Sequence, residues 1–289
     1  MNTPTDMNGT MKDGNKPEPV YAAVFGSIMV VGLPLNAMSL WILLRRHSLK
    51  STSAVFMVNL AISDLLLVIS LPMRVYFYAT GTWPLSSRAC NVITMLLRNN
   101  LRSSAIFITF ISMDRLLAVV YPLRSRHLRT SSNAWRAAVL IWVFVLVVNI
   151  PESVFFSSSS GHHTDSTCFK WNPHLYSSFV YFMCVVLFTL LAVNIVCTAL
   201  VSWTLHKHLN ESAKINNKVN VMLIFAMNLL MFTICFLPLN VGIAMRAADA
   251  IIPLTCLATV NCCLDPLLYY FSFDGFWKKK QDVDPARER

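Results

Sequence analysis

Seven stretches of the chain, at residues 21–44, 54–79, 90–120, 134–156, 175–205, 219–245 and 251–273, are predominantly apolar and each runs for more than 20 residues. A bilayer core is about 30 Å thick and a helix rises about 1.5 Å per residue, so about 20 apolar residues span it. Such a span must be a helix, because only then is every backbone N–H and C=O satisfied within the segment. Of the 289 residues, 55% are hydrophobic and 13% charged, which leaves little sequence for a soluble domain beside seven spans. The mean hydropathy of +0.55 agrees. No internal repeat is visible and the only low-complexity tract is Ser157 to Ser160, so an inverted-repeat transporter is not supported.

A net charge of +10 by itself would suggest a nucleic-acid partner. The basic residues, however, sit in short clusters between apolar runs, which favours a membrane and leaves no nucleic-acid partner. Sixteen of the 24 Lys and Arg residues follow spans one, three, five and seven, among them Arg45, Arg46, Arg115, Arg124, Arg129, Lys207, Lys214 and Lys278. That shared face is cytoplasmic by the positive-inside rule, and the N-terminus is extracellular. Residues 1–19 are polar, carry Pro, Asp and Lys, and do not read as a cleavable signal. The expected organisation is an extracellular tail over 1–19, a transmembrane domain over 20–273, and a short amphipathic cytoplasmic helix with a truncated tail over 274–289. The fold class is then an all-α seven-transmembrane bundle, multi-pass in the plasma membrane. Asn8-Gly9-Thr10 is a usable glycosylation acceptor outside, whereas Asn210-Glu211-Ser212 lies on the wrong side. Pro238 and Pro266, near the middles of spans six and seven, are only 28 positions apart. Either the third outer loop is nearly absent, or residues near Asp249 have been lost.

Asp64, Asp114 and Asp265 lie in or at the end of apolar spans, where a charge is costly and usually functional. Around them the chain reads Asn59-Leu60-Ala61-Ile62-Ser63-Asp64, Asp114-Arg115-Leu116, Cys235-Phe236-Leu237-Pro238 and Asp265-Pro266-Leu267-Leu268-Tyr269. With Gly32 to Asn36, Trp142, Pro151 and the Cys90/Cys168 pair, these motifs resemble the rhodopsin-like (class A) G-protein-coupled receptors from about residue 20 to 277. Each motif is weak alone, but their order and spacing are specific. Three positions depart from the family pattern: Leu116 and Phe236 replace an aromatic residue and a tryptophan, and Leu190 stands where span five usually has proline.

The resemblance implies a receptor coupled to a heterotrimeric G protein, with arrestin as a further partner. It implies a disulfide between Cys90 and Cys168 that ties the second outer loop over a pocket. It implies an activation switch built from Asp114, Arg115, Phe236, Pro238, Asp265, Pro266 and Tyr269, in which Asp114 pins Arg115 and each proline removes a helical hydrogen bond and makes a hinge. It also implies a buried cluster of Asn36, Asp64, Ser104, Asn261 and Asp265 that holds a sodium ion, with Asp64 the ligand. Ordinary interhelical hydrogen bonding is the alternative reading of that cluster.

Arg74, Arg98 and Arg102 are the most informative residues for the ligand. Arg98 and Arg102 are i and i+4 and project from one helix face, eight and twelve residues inward of Cys90. Intramembrane cations call for a partner, and an anionic ligand suits guanidinium forks that grip phosphate or carboxylate bidentately. The alternative is that one of them, Arg102 above all, snorkels or bonds to backbone carbonyls. Lys170 and Arg246 near the mouth would steer an anion inward or, in the alternative reading, are solvated rim residues. The segments Leu71-Pro72-Met73-Arg74-Val75-Tyr76-Phe77-Tyr78, Trp83-Pro84-Leu85, Ile111 to Arg126 and Asn261 to Pro266 look like the lysophosphatidic acid receptors of the purinergic-like cluster, most like its sixth type. That finer resemblance implies an anionic lysophospholipid ligand, beside the membrane lipids around the spans, with a nucleotide, lysophosphatidylinositol or small carboxylate as alternatives within the cluster. A membrane enzyme is disfavoured, because all seven histidines lie in loops or at span ends and no nucleophile, base or metal set converges within the spans.

Overall fold

The computed structural model describes residues 17–46, 49, 51–159, 168–169, 177–207 and 215–269. Asn8, Lys170 and the expected C-terminal helix lie outside these residues. The helices are α1 (Pro19–Arg46), α2 (Thr52–Thr80), α3 (Ser87–Val120), α4 (Ser131–Ser159), α5 (Ser177–Lys207), α6 (Ile215–Met231), α7 (Leu237–Ala244) and α8 (Ala248–Thr259). A π-helical turn, Phe232–Phe236, joins α6 to α7 and makes them one span. The seventh span begins with α8 and runs on to Tyr269. Seven helices are thus long and apolar enough to cross a membrane, and no strand occurs among the described residues.

Local sequence accounts for the ends and breaks. Gly81 stops α2 in the left-handed conformation at φ 70°, which costs glycine nothing, and its N–H closes on the Phe77 carbonyl. Ser86 caps α3 by accepting from the Ala89 N–H. Pro238 has no N–H to give to the preceding turn, and the backbone widens there into the π turn, where the Leu237 N–H reaches back to Phe232. Asn240 donates its side-chain amide to the Phe236 carbonyl at 2.9 Å. Span seven breaks elsewhere than expected: the turn falls at Val260, six residues before Pro266, where the Val260 and Cys263 N–H groups make short i−3 bonds.

α2 and α3 form the axis of the bundle. α2 packs against α1, α3 and α4, and α3 packs against α4, α5 and α6. The apolar core has a wide central part around Phe56, Phe107, Phe232 and Phe236. A second part at the Cys90 end gathers Phe25, Phe77, Tyr78 and Trp83. A smaller part at the opposite end joins Cys197, Val201 and Phe225. Gly32 lets α1 approach closely: a Cβ there would stand 3.3 Å from Cys262 and 3.3 Å from Val68. The third outer connection is the three residues 245–247 between α7 and α8. It is closed by bonds from the Met245, Arg246 and Ala247 N–H groups back to Val241, Ile243 and Gly242.

Candidate functional site

A cavity of about 230 Å³ opens at the Cys90 end, walled by α2, α3, α4, α5, α7 and α8. The three arginines singled out from sequence all line it, Arg74 from α2 and Arg98 and Arg102 from α3. Most of the remaining wall is apolar, with Leu97, Leu101, Ile106, Met183, Leu187, Leu190, Phe236 and Leu239 reaching down to the π turn. Leu190, in the place of the missing proline, lies on this wall within an unbroken α5. Arg246 does not join the site: it is exposed in the 245–247 connection, past Ile243, the last residue of α7 on the wall.

Cys90 and Cys168 are joined in a disulfide with Cα atoms 5.9 Å apart. The bond fixes Phe169, whose φ of 63° is a left-handed conformation that bulky residues rarely adopt, against α2. Its ring packs edge-on to Phe77 at 5.2 Å and to Trp83 at 5.5 Å. The Arg74 guanidinium lies 4.1 Å from the Phe169 ring centroid and 5.9 Å from that of Phe25. Only 3% of Arg74 is exposed, and its Nε has no hydrogen-bond partner among the described residues. Aromatic faces thus stabilise a cation that retains donor capacity at the cavity. Arg102 is held differently: it donates to Asn149 Oδ1 on α4 and lies 5.4 Å from the Phe179 ring of α5. The bond of Arg102 is to an asparagine side chain, not to the backbone carbonyls that the alternative reading named.

Beneath the cavity lies a buried polar centre. Asn100 donates to Asp64 Oδ1 at 2.8 Å and reaches Ser104 and Ser63 at 3.3 Å each. Asn261 donates to Asp265 Oδ2 at 2.8 Å. Asn36 donates to the Cys262 carbonyl at 2.7 Å. Pro266 explains that last bond, since it lacks the N–H that would otherwise serve the carbonyl four residues before it. The five residues expected here, Asn36, Asp64, Ser104, Asn261 and Asp265, are all wholly buried. Asn100 was missed, although its spacing of four from Ser104 on an apolar helix was a usable signal. Five side-chain oxygens remain without a donor: Asn36 Oδ1, Asp64 Oδ2, Asn100 Oδ1, Asn261 Oδ1 and Asp265 Oδ1. The Tyr269 hydroxyl is likewise buried and unpartnered. Among the described residues no group of three His, Cys, Asp or Glu converges.

A second polar network, unforeseen from sequence, ties three helices nearer the opposite end. Ser112 donates to Asn194 Oδ1 at 2.7 Å, Asn194 donates to Thr109 at 2.8 Å, and Asn228 donates to Ser112 at 2.6 Å. Trp142 donates to Asn59 Oδ1 at 2.9 Å and pins α4 to α2.

The expected pinning of Arg115 by Asp114 is corrected at the basic end. Asp114 bonds Arg129, Nε to Oδ1 at 2.8 Å, and accepts from Ser53. The reason is geometric, since adjacent residues on a helix do not face each other, whereas the turn after α3 brings Arg129 back beneath Asp114. Arg115 Nε has no hydrogen-bond partner among the described residues.

A seven-helix bundle with a disulfide-capped cavity, a buried carboxylate centre and an Asp-Arg pair at the far end of α3 is the architecture of one receptor family. Residues 35–269 match the 7 transmembrane receptor (rhodopsin family), and the chain belongs to that family of multi-pass membrane receptors, not enzymes. Within it, the chain is 33% identical over 279 residues to Lysophosphatidic acid receptor 6 of Mus musculus, covering 88% of this chain and 81% of the relative. It is 34% identical over 279 residues to Lysophosphatidic acid receptor 4 of Homo sapiens, covering 89% and 75%. A purinoceptor of Rattus norvegicus is 33% identical over 286 residues, covering 91% and 76%.

Proposed function

We propose that the chain is a G-protein-coupled receptor for an anionic lysophospholipid, with lysophosphatidic acid the foremost candidate. The observation that carries this reading is the cavity itself, where three arginines are the charged residues of a lining that is otherwise mostly apolar and reaches Phe236. Arg74 and Arg98 would take the phosphate as bidentate donors, and the acyl chain would lie along Leu101, Leu187, Leu190 and Leu239. The relatives named for lysophosphatidic acid favour the same ligand. The purinoceptor at similar identity favours a nucleotide as the second reading.

The Cys90–Cys168 end would face outward, where an oxidising exterior keeps the disulfide, and the N-terminus would be extracellular. The opposite, basic end would receive the G protein, and arrestin when signalling ends. The unpartnered oxygens of Asp64, Asn100, Asn261 and Asp265 would be the donors to a sodium ion, a hard cation that takes oxygen ligands. That ion would neutralise buried carboxylate charge, while Asn36 and Asn100 hold the surrounding helices.

The test is G-protein dissociation in cells exposed to lysophosphatidic acid, lysophosphatidylinositol, nucleotides and small carboxylates. Lysophosphatidic acid should be the most potent. Losing one charged hydrogen-bond partner costs about 2–5 kcal/mol, so Arg74→Gln or Arg98→Gln should lower its potency at least tenfold at equal surface expression. An unchanged dose response in both variants would make the arginines structural and remove the assignment.

A further inference from the structure

Phe169 is held in place from several sides. The Cys90–Cys168 disulfide anchors the residue before it to the start of α3, and a φ of 63° turns its own backbone left-handed. Its ring then sits among three others, edge-on to Phe77 at 5.2 Å and to Trp83 at 5.5 Å, and stacked on Tyr78 at 6.3 Å. Trp83 is itself fixed by donating its indole N–H to the carbonyl of Ser86, the cap of α3, at 3.1 Å. A bulky residue keeps a left-handed backbone only where its surroundings over-determine it, and such positions gather at ligand clamps. The strained backbone presents a ring face: the Arg74 guanidinium stands over it at 4.1 Å, nearer than the 5.9 Å that separates it from Phe25. Both Arg74 and Phe169 line the cavity. A ring face attracts the positive charge yet offers no lone pair, so it orients the guanidinium and leaves its N–H groups for an oxygen acceptor. The buried Arg74 Nε, without a hydrogen-bond partner among the described residues, is one such donor.

We infer that Phe169 is a positioning residue for ligand recognition: its ring face holds the Arg74 guanidinium, so that the donors of Arg74 are already oriented when an anionic headgroup arrives. This rests on the anionic-ligand reading above. An arginine left unheld would have to give up its rotamer freedom on binding, and one oriented beforehand removes that cost. The ring thereby makes the loop after Cys168 part of the headgroup site, a role separate from closing over the cavity.

The experiment uses the full chain, with oleoyl lysophosphatidic acid as the probe, in a G-protein dissociation assay at matched surface expression. Phenylalanines carrying one, two or three ring fluorines are placed at position 169 by stop-codon suppression. Fluorine drains the negative ring face step by step while keeping the shape that packs against Phe77 and Trp83, so the fold should persist. Potency should fall stepwise along the series, reaching about three- to tenfold at the trifluorinated ring, with the maximal response retained. In an Arg74→Gln background, read at correspondingly higher ligand concentration, fluorination should change nothing, since its effect passes through Arg74. A flat series in a receptor that Arg74→Gln still weakens overturns the inference and leaves the anionic-ligand reading standing. A fall that persists in the Arg74→Gln background overturns it too, because the ring would then act by packing alone. So does a rise in potency with fluorination, which would show the ring competing with the ligand for the cation. No response of the wild type to lysophosphatidic acid overturns both.

Discussion

Breaking the Asp114–Arg129 pair should loosen the second inner turn in a way that two single substitutions share. Asp114 is 2% exposed at its side chain and Arg129 29%, and their closest atoms are 2.8 Å apart with a second contact at 3.4 Å. A hydrogen bond to a charged group contributes about 1.5–3 kcal/mol when buried, and exposed pairs contribute about 0.2–1 kcal/mol. With one partner buried and the other partly in solvent, a coupling of about 1–2 kcal/mol is expected between those two limits. At about 2–4 °C per kcal/mol for a domain of roughly this size, each of Asp114→Asn and Arg129→Gln should lower the melting temperature of purified receptor by about 2–8 °C. The decisive quantity is the double variant. Because both substitutions remove the same contact, their effects should fall short of additivity by about 1–2 kcal/mol. Strict additivity would show that the pair carries no coupling and that Asp114 acts through Ser53 or Arg115 alone.

Two further expectations come from the packing. Asn228→Leu removes the bond to Ser112 and also the unpartnered Asn228 Oδ1, so stability should hold while the inner half of span six gains freedom. A net loss of about 1 kcal/mol of restraint would raise ligand-independent G-protein activation about fivefold at matched expression, and unchanged basal activity would refute the tie. Gly32→Leu should lower thermal stability by about 1–3 kcal/mol, because its side chain has Cys262, Val68 and Cys263 within 3.5 Å of the first carbon, whereas Gly32→Ala should be much milder. Equal melting curves for the leucine variant would show that α1 can withdraw from the bundle.

The spans were legible because twenty apolar residues in a row admit few structures, and the arginines were legible because each stands inside an apolar span, with Arg98 and Arg102 on one helix face by their spacing of four. Asn8 and Lys170 were legible only as motif and charge. Contacts that depend on a helix's rotation or a turn's path were not. Arg129 reaches Asp114 only because the turn after α3 folds back, which no local pattern in Arg124 to Arg129 announces. Asn100 and Asn149 are polar residues in apolar runs that the sequence reading did not single out, because which helix each faces depends on how α3 and α4 are turned toward one another. The Val260 break in span seven was hidden for a similar reason: proline draws attention to Pro266, while the missing N–H there is answered from α1 by Asn36.

The most direct test of the ligand reading is nucleotide exchange on a purified G protein driven by this receptor alone in lipid nanodiscs, with oleoyl lysophosphatidic acid compared against oleoylglycerol and a nucleoside triphosphate. Phosphate and acyl chain are both required if the arginine wall and the apolar wall act together. Lysophosphatidic acid should accelerate exchange, the other two should not, and Arg74→Gln should shift the response to at least tenfold higher concentration. Acceleration by the nucleotide or the neutral lipid, with none by lysophosphatidic acid, would contradict it.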